Sequence, residues 1–169
     1  MARPDIKKVP EWYHGYINLV KGNNFLPEMK LQTGEAIRFL RKIPATKRNY
    51  RYARGKWTVQ DLLQHMIDAE RIFGYRALCF SRKDRNPLPA FDENEYAVNA
   101  KASRRDWNSM VNEFKLIRLS NEEMFSAFNP IQLRAAGIAN NKSFSVNDIG
   151  FIMVGHVSHH IAIIRERYL

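Results

Sequence analysis

Apolar residues recur at three- and four-residue steps along four long stretches of the chain, the spacing that gathers them on one face of an α-helix. The first stretch covers 27–41, with Met29, Thr33, Ile37 and Leu40 on one side. The second opens at Thr58 and carries Leu62, His65, Met66, Ala69, Phe73 and Ala77, and Asn86-Pro87-Leu88-Pro89 ends it. The third carries Trp107, Met110, Val111, Phe114, Ile117 and Met124 and stops at Asn129-Pro130. The fourth carries Ile149, Ile152, Met153, His156, His160, Ile163 and Ile164 almost to the C-terminus. Ahead of them, residues 10–20 (Trp12, Tyr13, Tyr16, Ile17, Val20) read as a short helix, separated by Gly22-Asn23-Asn24.

Helix starts are marked in the same way three times. Thr58 and Ser145 are hydroxyls able to cap free amides, each with an aspartate three positions on (Asp61, Asp148), and Ser103 with Asp106 repeats the pattern. No alternating strand pattern and no internal repeat stands out. Four amphipathic helices pack as a bundle, so the expected fold is all-α, with residues 1–169 as one domain. The connections after the second and third helices are long enough to cross the bundle and shape a site.

Composition adds limits. At 169 residues and 45% apolar, the chain can bury one substantial core. Its single cysteine, Cys79, excludes an intrachain disulfide and a cysteine-based zinc site, and is expected to be a buried small apolar residue. There is no signal-peptide run at the N-terminus and no stretch of ~20 apolar residues. A cytoplasmic protein with no membrane span is expected. The net charge of +10, from 27 Lys and Arg against 17 Asp and Glu, favours anionic partners. The cations are scattered, and Arg48-Asn49-Tyr50-Arg51-Tyr52 is the one stretch that interleaves them with aromatics as nucleic-acid binding would want.

The candidate chemistry lies in histidines on otherwise apolar faces. His156 and His160 are four apart and stack on one side of the last helix, and His65 sits in the inward stripe of the second. Each imidazole brings polar nitrogens that a core must satisfy, and one metal ion satisfies three at once. Three imidazoles without a fourth protein ligand suit a catalytic metal with an open position. His159 flanks this stripe, and His14 has no partner spacing. Asp68 shares a side of the helix with His65, so it can hold an imidazole in place or act as a base; its alternative is an ion pair with Arg71 or Arg76. Arg165 and Arg167 suit either an anionic ligand or the negative end of their helix. No phosphate loop, G-x-S-x-G or H-E-x-x-H motif is present.

Several of these residues fall in segments that resemble the DinB-like (damage-inducible, YfiT-like) superfamily. They are Gly55-Lys56-Trp57-Thr58, His65 to Arg71 (HMIDAER), Tyr75-Arg76-Ala77-Leu78, the loop Phe91 to Tyr96, and the C-terminal Gly155 to Tyr168. The resemblance implies a four-helix bundle in up-down-down-up order, a divalent metal on His65, His156 and His160, and a homodimer. Zinc is the expected ion, with nickel, manganese or iron as alternatives. Relatives include bacillithiol- and mycothiol-dependent enzymes, which implies a low-molecular-weight-thiol S-transferase acting on small electrophiles, with a bacillithiol-like thiol as its cofactor. A metal-dependent hydrolase and a non-catalytic stress-response or nucleic-acid-binding protein are the alternatives. Exposed aromatics near Trp12, Tyr13 and Tyr16 are the one visible surface for a dimer.

Overall fold

The computed structural model describes residues 2–169, and its frame is four long helices. These are α2 (Phe25–Arg41), α4 (Val59–Ser81), α6 (Trp107–Ser126) and α8 (Val146–Arg167). Short helices α1 (His14–Asn18), α3 (Ala45–Arg48), α5 (Glu93–Ala100) and α7 (Pro130–Arg134) decorate the frame, and strands β1 (Ala136–Ala139) and β2 (Lys142–Ser145) form a hairpin between α7 and α8. No described helix is long and apolar enough to cross a membrane.

Helix directions follow from which ends meet. Phe25 lies against Phe151, Gln32 bonds Val154 and Ser158, and Arg165 covers Phe39, so α2 and α8 run parallel. Gln60 meets Met110 and Glu70 meets Arg118, so α4 and α6 also run parallel. Phe25 against Phe125 and Leu40 against Trp107 make α2 antiparallel to α6. His65 beside His160 and Phe73 beside His156 make α4 antiparallel to α8. The order is therefore up-down-down-up, with α4 and α6 joined by a long crossover that carries α5. Each of α4 and α2 packs on both α6 and α8.

The capping boxes at Thr58 and Ser145 form as the sequence indicates. Four boundaries differ. Asn24 caps α2, so the helix starts two residues before Pro27, which then falls in the first turn where a missing amide is harmless. Asp106, not Ser103, caps α6 by accepting from the Ser109 amide, and Ser103 sits in a separate 3-10 turn after the left-handed Lys101. α4 ends at Ser81, where Lys83 turns left-handed, and not at the prolines. The N-terminal helix is a 3-10 turn at Glu11–Tyr13 followed by the five residues of α1.

The hairpin also departs from the all-helical expectation. Its two-residue turn places Asn140 and Asn141 at φ of 50° and 54°, and asparagine tolerates that region better than most residues. Leu88, on the crossover, bridges to Ala139 and pins the hairpin against it.

Two apolar clusters fill the bundle, one at each end. Phe25, Phe73, Phe80, Phe125 and Phe151 dominate one; Leu40, Leu63, Met66, Met110, Phe114 and Ile164 dominate the other. Polar groups occupy the level between. Arg118, wholly buried, donates to Glu70 at 2.9 Å, to Gln32 at 3.0 Å, and to the Thr33 hydroxyl and Met29 carbonyl. Asn121 donates to the second Glu70 oxygen at 2.9 Å, and Thr33 donates to Glu122. The most buried positions of this half of α6 are thus Arg118, Asn121, Glu122 and Phe125, while the expected Ile117 and Met124 pack, partly buried, against the two apolar clusters beside them. These polar groups are tolerated because they satisfy one another.

Candidate metal centre

His65, His156 and His160 converge where α4 and α8 face each other next to this polar layer. The approach of α1 to α8 depends on Gly155: a Cβ there would lie 2.0 Å from the Tyr16 carbonyl oxygen. With no side chain in the way, the Tyr16 ring stands edge-on to His156, centroids 5.4 Å apart. Trp57, just before α4, covers His65 from outside at 4.9 Å.

The three Nε2 atoms point at one another. His156 Nε2 is 2.9 Å from His65 Nε2 and 3.0 Å from His160 Nε2. One nitrogen offers a single lone pair or a single hydrogen, so His156 cannot bond well to both neighbours without a further atom. His160 Nδ1 is buried with no hydrogen-bond partner. Burial, reinforced by His159, holds His65 down to about 4, and burial with the neighbouring histidines holds His156 and His160 well below the usual imidazole value. The rings are therefore neutral at pH 7, each with one ring nitrogen able to offer a lone pair. All three can offer one ligand atom within 4.8 Å of one another, and the set fits a divalent ion.

A cavity of about 350 Å³ opens onto these nitrogens. Its walls are aromatic: Tyr13 and Tyr16 from the N-terminal segment, Trp57, Phe73 from α4 and Phe91 from the crossover. Arg76 of α4, Glu93 at the start of α5 and Asn140 from the hairpin tip supply the polar positions. The aromatics expected to be a spare surface thus divide: Tyr13 and Tyr16 wall the cavity, while Trp12 lies at its rim and is largely exposed.

Asp68 is not part of this group. Its carboxyl accepts from Gln64 at 2.9 Å and lies in a patch with Arg71, Arg105 and Glu113, and no hydrogen bond joins it to His65. Burial there raises its pKa. His159 sits beside the cluster, 5.0 Å from the His160 ring, and His14 bonds the Val9 carbonyl. Arg165 and Arg167 stack on Phe39 and Tyr52, away from the cavity. Tyr50 and Tyr52 are both packed edge-on to Tyr168, so the one basic-aromatic stretch folds onto the C-terminus. Cys79 is buried.

Sequence reasoning did not single out Tyr13, Tyr16, Phe73, Arg76 and Glu93 as a set. They come from three segments far apart in the chain, and only the crossover and the α1–α8 approach bring them together. Their one sequence signal is that Phe73 and Arg76 continue the His65–Ala69 side of α4.

Residues 29–164 match the sequence model of the DinB superfamily, and the chain belongs to it. Among solved structures it is similar to YfiT from Bacillus subtilis, with a TM-score of 0.76 and 14% identity, over 84% of this chain and 82% of that one. YfiT is described as a probable metal-dependent hydrolase with an unusual four-helix bundle topology. No curated protein matches.

Proposed function

We propose that His65, His156 and His160 hold one divalent ion, zinc by default, and that the protein is a metal-dependent enzyme which transfers a low-molecular-weight thiol to a small electrophile in the adjoining cavity. The observation that carries this is the convergence of three neutral Nε2 atoms, with His156 Nε2 within 3.0 Å of both others, on the floor of an aromatic pocket. Bound there, the ion supplies Lewis acidity that makes a thiol or water acidic enough to ionise near neutral pH. Tyr13, Tyr16, Trp57 and Phe73 give the cavity beside the histidines an aromatic wall against which the apolar body of an electrophile could lie.

Thiol chemistry is favoured over hydrolysis by what the cavity lacks. Its one carboxylate is the half-exposed Glu93, and Asp68 points elsewhere, so no residue is placed as a base against the histidines. The ion would ionise a bound thiol and a bound water alike, but hydrolysis of an ester or amide also needs a proton for the departing alkoxide or amine, which such a base would return, whereas a thiolate displacing a halide needs none. Hydrolysis is the second reading, supported by the similarity to YfiT.

The test is turnover by zinc-loaded protein with two substrate sets. One pairs cysteine, glutathione or bacillithiol with an activated aryl halide; the other uses activated esters and amides without thiol. Thiol-dependent conjugation that chelation abolishes is expected. Hydrolysis alone transfers the assignment to the second reading, and neither activity in the loaded protein overturns both.

A further inference from the structure

Arg76 is a buried cation with no counter-ion among the described residues. It lies on the side of α4 that also carries His65, Ala69 and Phe73, and only 3% of it is exposed. Ion pairs join Asp5, Asp61, Glu70 and Glu113 to other cations, and none among the described residues reaches Arg76. Of its five donors, one serves the Pro89 carbonyl at 2.9 Å, and the Tyr13 hydroxyl lies beside the guanidinium. The other buried arginine shows the contrast: Arg118 meets a carboxylate, an amide, a hydroxyl and a carbonyl. A buried charge left so incompletely paired is costly, and a cavity wall is where a ligand can complete it.

Phe73 spans the distance from this cation to the histidines. The Arg76 guanidinium carbon is 5.9 Å from the Phe73 ring centre, and that ring is 6.0 Å from the His156 ring. Tyr13 stands edge-on to the same Phe73, centroids 6.4 Å apart, and Phe91 lines the cavity with them. One end of the cavity therefore carries Arg76, with Glu93 acting on the neighbouring Tyr13 but forming no ion pair with the guanidinium; its middle is aromatic and its other end is imidazole.

We propose that this site takes a small organic acid: a carboxylate pairs with Arg76, an apolar or aromatic body lies along Phe73 and the tyrosines, and the group at the far end meets the histidines. This rests on the reading of the cavity as the enzyme's substrate site. It does not rest on the ion, since Arg76 would bind the carboxylate whether or not the histidines are loaded. Arginine suits the task because its planar fork takes a carboxylate through two hydrogen bonds.

The experiment is calorimetric titration of the full chain with benzoate, phenylacetate and 4-phenylbutyrate, their neutral amides, and phenyl phosphate. Each titration is run metal-free and with zinc, on wild type, Arg76→Met and Arg76→Lys. In metal-free wild type a carboxylate binds roughly ten- to a hundredfold more tightly than its amide. Arg76→Met abolishes that preference, and Arg76→Lys keeps part of it. Thermal melts separate binding from bracing: Arg76→Met melts no lower than wild type if the charge serves a ligand, because an unpaired buried cation has been removed. Equal affinity for acid and amide, a preference that survives in Arg76→Met, or a lower melting temperature with no change in preference each overturns the proposal. Tighter binding of phenyl phosphate than of every carboxylate overturns the choice of carboxylate. Failure to bind zinc would sink the metal reading and leave the metal-free comparison intact.

Discussion

Arg118 carries a full charge into the middle of the bundle, where the Glu70, Gln32 and Thr33 side chains and the Met29 carbonyl accept its hydrogen bonds. Its pairing with Glu70 is fully desolvated, so removing one partner strands the other. Arg118→Ala is expected to destabilise the protein by about 3–5 kcal/mol in urea denaturation. The double change Glu70→Leu, Arg118→Met should cost less than the single one, since neither charge is then left alone; a double variant weaker than Arg118→Ala would contradict this. The histidines make a second prediction. His65 is held near 4 when folded, by burial first and His159 second, against about 6.5 when unfolded. Between those values the unfolded chain binds the extra proton, so stability is full above pH 6.5, falls on acidification and levels off below the folded value. For His65 alone the loss is about 2 kcal/mol by pH 5. Denaturation of metal-free protein at pH 7 and pH 5 checks it, and His65→Ala should show a shallower fall; equal falls would contradict the assignment.

At the scale of elements, α1 and α8 meet through a missing side chain. Gly155→Ala would force the Tyr16 carbonyl away, lift the Tyr16 ring off His156 and cost about 1–3 kcal/mol. Faster hydrogen exchange in residues 14–18 would report that displacement, and unchanged exchange would contradict it. The four long helices were legible because helical periodicity and the Thr58 and Ser145 caps are local signals that burial reinforces. The three histidines were legible for the same reason, each standing on an apolar stripe. Arg118, Asn121 and Glu122 were not, because a polar residue is assigned outward unless its partners are known, and those lie on α2 and α4. The hairpin around Asn140-Asn141 was not legible, because four-residue strands carry too little alternation to be read. Asp68 illustrates the opposite limit: spacing put it on the side of His65, yet Gln64 and the Arg105–Glu113 patch hold it away.

In the whole molecule, the up-down-down-up order places α4 beside α8 and antiparallel to it, and that contact sets His65 against His156 and His160. The crossover that this order requires between α4 and α6 brings Phe91 and Glu93 over the same opening, while the hairpin before α8 adds Asn140. A site built from so many distant segments belongs only to the folded chain, so an ion held by the histidines stabilises the fold by mass action. The central claim is that these three side chains hold one ion. Elemental mass spectrometry of untagged protein, beside His65→Ala, His156→Ala and His160→Ala, tests it directly. About one divalent ion per chain, lost in each variant while the fold persists by circular dichroism, is the predicted result. No bound metal in the wild type, with no uptake from dilute zinc or nickel, would contradict it.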